Sequence, residues 1–170
     1  DICQSLVRQR TVPGIIQLGN ELNSGMLWPD GHTWDPPNWD NLAQLLTAGY
    51  EVVKACSPET RVMLHLANGG DNGLYHWWFD EITSRGVPFD VIGVSFYSYW
   101  HGSLADLQYN LNDISAYYDK DVVVVETAYP FTLEDDDGWE NIINVKGELT
   151  DGYPATPAGQ AAMLRDVMSI

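Results

Sequence analysis

Four short apolar runs recur along the chain: IIQLGNE at 15–21, RVMLHLAN at 61–68, VIGVSFY at 91–97 and VVVVETAY at 122–129. Each is rich in β-branched or aromatic residues and bounded by Pro, Gly, Asp or Asn, which punctuate strands. None alternates cleanly with polar residues, so each is expected to be covered on both faces, as parallel strands are. Between them the apolar period changes. In 38–57, Leu42, Leu45, Leu46, Gly49, Val52, Val53 and Cys56 stand three or four apart, the spacing of one helix face. Residues 73–86 predict a second helix, with Trp77 and Trp78 at core spacing and Gly86 suited to a left-handed cap. Residues 103–120 predict a third, where Ser103 and Asp106 come close to a capping box. A last helix is expected to start near Thr156-Pro157, and residues 1–11 read as the end of an earlier one.

Helix and strand thus alternate, which implies a parallel sheet with right-handed crossovers. The later strands are spaced by about 30 residues, as βα units are. The first interval is longer because of the loop GMLWPDGHTWDPP at 25–37. Either an open doubly wound sheet or a section of a (β/α)8 TIM barrel would fit this α/β order. No glycine-rich phosphate-binding fingerprint follows any strand. Polar and aromatic residues gather instead after every strand's carboxyl end: Asn20-Glu21, His65 with Asn68, Tyr97 with Trp100-His101, and Glu126 with Tyr129. A barrel collects such ends around one mouth, so a partial barrel is the expected fold. The chain begins without Met and stops inside an apparent helix, so residues 1–170 are expected to be an internal fragment of one barrel domain. Alone, such a piece could not close, and its open edges would favour aggregation over activity.

Composition narrows the partners. With 24 acidic and 8 basic residues the net charge is −16, which disfavours nucleic acid or an anionic membrane. A neutral ligand, or cations bound locally, suits it better. No apolar run reaches membrane length. Cys3 and Cys56 are too few for a disulfide framework and read as buried free thiols. Seven Trp, nine Tyr and four Phe serve either a core or the apolar faces of sugar rings.

Glu21, in LGNELN, and Glu126, in VVETAYP, both stand at strand ends. An ionised carboxylate buried without partners is costly. Each could cap a helix or make an ion pair, but two at the same end of one parallel sheet suggest a working pair. Glycoside hydrolysis uses such a pair: a retaining enzyme sets two carboxyl groups about 5–5.5 Å apart, one as nucleophile and one as acid/base.

The stretches GNELNSGMLWPDG, HLANGGDNGLYHWWFDEI, GVSFYSYWHGSL and VVETAYP, in this order, make the chain resemble glycoside hydrolase family 53 from residue 13 onward. These are endo-β-1,4-galactanases in a clan of (β/α)8 retaining hydrolases. The resemblance implies that the four strands are the barrel's fourth to seventh, with Glu21 as acid/base and Glu126 as nucleophile. Asn20 then matches the residue that hydrogen-bonds the sugar 2-hydroxyl. Tyr97 is the expected partner of the nucleophile, although Phe96-Tyr97-Ser98 departs from the family's usual Tyr-Tyr-Pro. Trp100 would stack on galactosyl units, with His101 and Asn68 as polar contacts, or else the loop simply packs. His65 either lines the cleft or is a satisfied core histidine. Trp28 and Trp34 could line outer subsites.

The implied reaction is double displacement. Glu21 protonates the departing oxygen, Glu126 forms a glycosyl-enzyme, and Glu21 then activates water; no cofactor takes part. The expected substrate is β-1,4-galactan, the side chain of pectin, and the expected enzyme is secreted or on the cell surface and monomeric at full length. Another retaining β-glycanase of the clan, such as a mannanase, or a non-catalytic sugar-binding barrel are the rivals. In LEDDDGWEN, Asp135, Asp137 and Asn141 with the Trp139 carbonyl offer hard oxygens at a spacing that can wrap calcium, or form a solvated acidic loop. Some bacterial members of the resembled family carry a structural calcium in this loop, and the resemblance implies one here.

Overall fold

A computed structural model describes residues 2–135 and 137–170. Helix α1 (Ile2–Gln9) leads into β1 (Ile15–Leu18). After the small pair β2 (Gly25–Met26) and β3 (Gly31–His32) come α2 (Trp39–Cys56), β4 (Arg61–Leu66), α3 (Asn72–Ser84), β5 (Val91–Ser95), α4 (Leu104–Tyr118), β6 (Asp121–Glu126) and α5 (Pro157–Met168). The main sheet is parallel throughout, in the order β1-β4-β5-β6, so α2, α3 and α4 are each a crossover between neighbouring strands. This is a partial α/β barrel. Among the described residues, β1 and β6 each keep one edge unpaired. They are only half-buried, whereas β5 is buried throughout and β4 at every position but Arg61.

Alternation assigns the two faces of the sheet. Leu64 and Leu66 of β4, Ile92 and Val94 of β5 and the following Phe96 join Leu42, Leu46, Trp78, Phe79, Ile82 and Leu107 in one core beneath the helices. Leu18, Val122 and Val124 pack on that same core. The opposite parity carries Gln17, His65 and Ser95, polar groups that meet on the lumen side. One register break disturbs the scheme. Val94 faces Val124, but Ser95 faces Glu126, so Val125 is surplus. Strict alternation would send Glu126 to the helix side with Val122 and Val124; the bulge resets the parity and turns it inward.

The helices form where their patterns predict. Ser103 and Asp106 make a full capping box, and Thr156 caps α5 by accepting the Gly159 amide, with Pro157 in the first turn. Gly86 takes a positive φ of 71° just beyond α3. Trp78 is fully buried, while Trp77 is half exposed and lies edge-on to Trp39. The strands stop earlier than the apolar runs, since the residues after them adopt left-handed or turning backbone.

Two features differ from expectation. Cys3 and Cys56 form a disulfide, with Cα atoms 6.2 Å apart, rather than two free thiols. They are 53 residues apart in sequence, but the antiparallel return of α2 beside α1 brings the start of one to the end of the other. Residues 25–37, read as a plain loop, contain the β2–β3 pair, and Trp28 lies edge-on to Trp34 with ring centroids 5.0 Å apart. Strands of two residues are too short to show any periodicity.

Candidate active site

The backbone after β1 bends sharply. Gly19 has φ 73°, and Glu21 itself sits in the left-handed region at φ 45°, ψ 62°. A 3₁₀ turn, Leu22–Ser24, follows and is pinned from several sides. Leu22 is fully buried, and its carbonyl accepts the Trp78 indole N–H at 2.8 Å. Asn23 Oδ1 accepts the Ala67 amide at 2.8 Å, just past β4, and the Thr33 hydroxyl donates to the Asn23 carbonyl at 2.7 Å. A left-handed non-glycine residue is strained and persists only where its surroundings hold it. Here they hold Glu21, one of the two glutamates at the mouth of the sheet.

Glu126 closes β6 and is about one-third exposed at its side chain. The Tyr97 hydroxyl donates to its Oε2 at 3.0 Å. Tyr97 carries the inward parity while Phe96 goes into the core, so the second aromatic of the pair is the one that reaches the carboxylate. Burial, and then the bond to Glu126, push the Tyr97 hydroxyl up to about 12, so it remains a donor at neutral pH. One oxygen of Glu21, one ring nitrogen of His65 and one oxygen of Glu126 lie within 4.8 Å of one another. Inverting carboxylates stand about 6.5–9.5 Å apart to admit a water, whereas retaining pairs stand about 5–5.5 Å apart. The observed closeness fits direct attack.

His65 has no exposed surface. It cannot touch a sugar from where it stands, so of its two readings the satisfied buried histidine is the one found. Its Nε2 lies 2.8 Å from Ser95 Oγ, and its Nδ1 receives Gln17 Nε2 at 3.1 Å and the Glu21 amide at 3.3 Å. Burial lowers its pKa, against the upward pull of Glu126 and Glu21. With both nitrogens engaged and the ring neutral, the cluster suits proton transfer better than metal coordination. Gln17 and Ser95 escaped the sequence reading. Their signal was present: each is polar in an apolar strand and shares the parity of His65.

The remaining candidates lie around the mouth. Asn20 is exposed, and its Oδ1 lies 3.3 Å from Gln17 Nε2. Asn68, exposed at φ 62°, lines a polar cavity of about 400 Å³ with Asp71, Trp100 and His101. Trp100 is 60% exposed and lies edge-on to Tyr99. His101 packs beside Tyr97, its Nδ1 3.1 Å from the Ser95 carbonyl, and burial lowers its pKa. In the acidic loop, Asp135 Oδ1 accepts the amides of Asp137 and Gly138, Asp137 Oδ1 accepts that of Trp139, and Asn141 donates to the Glu134 carbonyl. The intervening Asp136 lies outside the described residues.

Comparison with known proteins agrees with this geometry. An uncharacterized protein of Niallia circulans is 40% identical over 176 residues, covering all of this chain and 48% of that protein. The arabinogalactan endo-β-1,4-galactanase of Thermothelomyces thermophilus is 32% identical over 178 residues, covering all of this chain and 51% of the relative. Among solved structures, the family 53 catalytic domain of Ignisphaera aggregans superposes with a TM-score of 0.91 at 38% identity, covering 98% of this chain and 46% of that one. The chain therefore spans about half the length of these relatives. The family description matched along residues 1–170 is glycosyl hydrolase family 53, and with the paired glutamates in place at the mouth of the half-barrel the chain belongs to that family.

Proposed function

We propose that the protein containing this chain is a retaining endo-β-1,4-galactanase that cleaves galactan, with Glu21 as acid/base and Glu126 as nucleophile. The observation that carries the reading is the carboxylate pair, whose oxygens approach within 4.8 Å while Tyr97 fixes one of them. The relative from Thermothelomyces thermophilus, named an arabinogalactan endo-β-1,4-galactanase, supports the substrate.

In the proposed reaction Glu126 attacks the anomeric carbon while Glu21 gives its proton to the leaving glycosidic oxygen. The bond to that oxygen breaks, and a covalent glycosyl-enzyme forms. Glu21, now ionised, takes a proton from water, which displaces Glu126 with net retention. The Tyr97 hydroxyl keeps one Glu126 oxygen occupied and leaves the other to attack. Asn20 would reach the 2-hydroxyl, Trp100 would offer an exposed ring face for stacking, and Asn68 and His101 would supply polar contacts.

Release of reducing ends from galactan, mannan and xylan tests the substrate in the full-length protein. Galactan alone should be cut, with the product's anomeric configuration retained and the activity abolished by Glu126→Ala. Galactan left intact, or binding without hydrolysis that Glu126→Ala does not alter, would overturn the proposal. A polymeric substrate implies action outside the cell, and the Cys3–Cys56 disulfide supports that placement, since such bonds persist in oxidising surroundings.

A structural calcium on Asp135, Asp137, Asn141 and the Trp139 carbonyl belongs to the same proposal. The donors are hard oxygens, as calcium takes, and among the described residues the backbone amides use only one oxygen of each aspartate. A rise in thermal midpoint on adding calcium to chelator-treated full-length protein, lost in Asp137→Asn, would support it; no rise would remove it.

A further inference from the structure

We propose that His65 is a positioning residue for the acid/base: its Nδ1 lone pair accepts the Glu21 backbone N–H and so helps hold Glu21 in its left-handed conformation, while Ser95 fixes the ring's tautomer. This rests on the assignment of Glu21 as acid/base.

The hydrogen bonds determine the protonation of the ring. Two groups converge on Nδ1, Gln17 Nε2 at 3.1 Å and the Glu21 amide at 3.3 Å. An amide N–H can only donate. The Gln17 amide is oriented by a second bond, Nε2 to the Gly19 carbonyl at 2.7 Å, so its nitrogen too faces Nδ1 as a donor. Nδ1 must therefore carry the lone pair, and Nε2 carries the hydrogen and donates to Ser95 Oγ at 2.8 Å. His65 and Ser95 are both fully buried, so water does not compete for these bonds. Glu126 Oε1, at 4.0 Å from Nδ1, is too far for a hydrogen bond.

The ring owes its place to a neighbour without a side chain. A Cβ on Gly93 would stand 3.2 Å from His65 Cβ and 3.0 Å from Met63 Sδ. From that slot the imidazole spans three strands, linking Gln17 of β1, its own β4 and Ser95 of β5. Charging the ring would set an Nδ1–H against two other donors and release the Glu21 amide. The low pKa that burial imposes keeps this from happening at neutral pH.

Two substitutions separate the ring's two ends. In His65→Gln the terminal amide nitrogen can replace Nε2 toward Ser95, but the Nδ1 acceptor is lost. In His65→Asn the side-chain oxygen falls near Nδ1 and can still accept from Glu21. Both are assayed in the full-length protein on galactan, whose leaving sugar needs a proton, and on a 2,4-dinitrophenyl β-galactobioside, whose leaving group does not. His65→Gln is expected to lower kcat/KM on galactan about 100-fold, the scale of general acid catalysis, and on the aryl substrate less than about 5-fold. His65→Asn should remain within about 10-fold of the parent on both. Equal losses on the two substrates, or none on either, would overturn the proposal; so would a misplaced tautomer. Nitrogen-15 NMR of the parent protein reads the tautomer without any substrate and should find Nε2 protonated and Nδ1 bare. It remains decisive if a variant fails to fold. A parent protein inert on galactan would instead defeat the functional reading, leaving the NMR result to judge this one.

Discussion

Tyr97 donates its hydroxyl to Glu126 at 3.0 Å, and under the proposed mechanism this bond orients the nucleophile. A hydrogen bond to a charged group contributes about 1.5–3 kcal/mol, so Tyr97→Phe is expected to lower kcat/KM about ten- to a hundred-fold with the fold intact. Steady-state kinetics with a parallel thermal melt checks this. Tyr97 titrates at about 12, raised from 10.0, so the stability its bond confers is complete below pH 10 and fades as pH rises toward 12. His65 and His101 behave in the opposite sense. Their folded pKa values are lowered by burial from 6.5, so the neutral ring is the folded form. Their contribution is present above pH 6.5 and drains away as pH falls through the folded values. Denaturant unfolding should accordingly give a lower midpoint at pH 5 than at pH 7, by less in His65→Asn. At this scale both glutamates and Tyr97 could be read in the sequence, because a polar group ending an apolar strand is conspicuous. The support beneath them was legible only in part: His65 stands out as a polar residue in an apolar strand and Gln17 and Ser95 share its parity, but the hydrogen bonds that join them form only when three strands lie side by side.

The elements were legible in kind more than in extent. All four main strands and the helices between them follow from period and punctuation, and the capping signals at Ser103, Gly86 and Thr156 each mark a real end. Strand ends were overcalled because the apolar runs continue into the functional turns, where Glu21 and Asn68 leave the extended region. Hydrophobicity cannot register a change of backbone angle. Nor did it suggest that α3 braces the turn after β1, through the Trp78 indole on the Leu22 carbonyl. Trp78→Phe keeps most of the packing but strands that buried carbonyl, at a cost of about 1–3 kcal/mol. A lowered thermal midpoint together with reduced kcat is the expected result; unchanged kcat would mean that the turn holds without the brace.

For the whole molecule, the order and spacing of helices and strands gave a parallel α/β sheet, and the polar and aromatic residues after the strand ends gave the partial barrel and its mouth, whereas the Cys3–Cys56 link depended on a return of the chain that no local pattern encodes. In the chain-entropy view, closing a loop of 53 residues stabilises by about 4 kcal/mol. Reduction, or paired replacement by Ala, should lower the full-length protein's unfolding midpoint while leaving kcat near the parent value at low temperature, since the link lies far from the mouth; a large loss of kcat would show that α1 helps shape the site. The surplus Val125 bears on how such an enzyme can change. Even pairing of β6, with Val125 opposite Ser95, would leave sheet, helices and surface largely as they were, yet the Glu126 carboxylate would emerge among the valines beneath the helices and the cleft would lose its proposed nucleophile. Galactan hydrolysis should vanish, and unfolding should become easier as pH rises and that sealed-in acid is forced to ionise. Under the proposed roles, chemistry here hangs on the register of residues as much as on their identity: loss of that bulge would disarm the cleft as completely as loss of Glu126 itself.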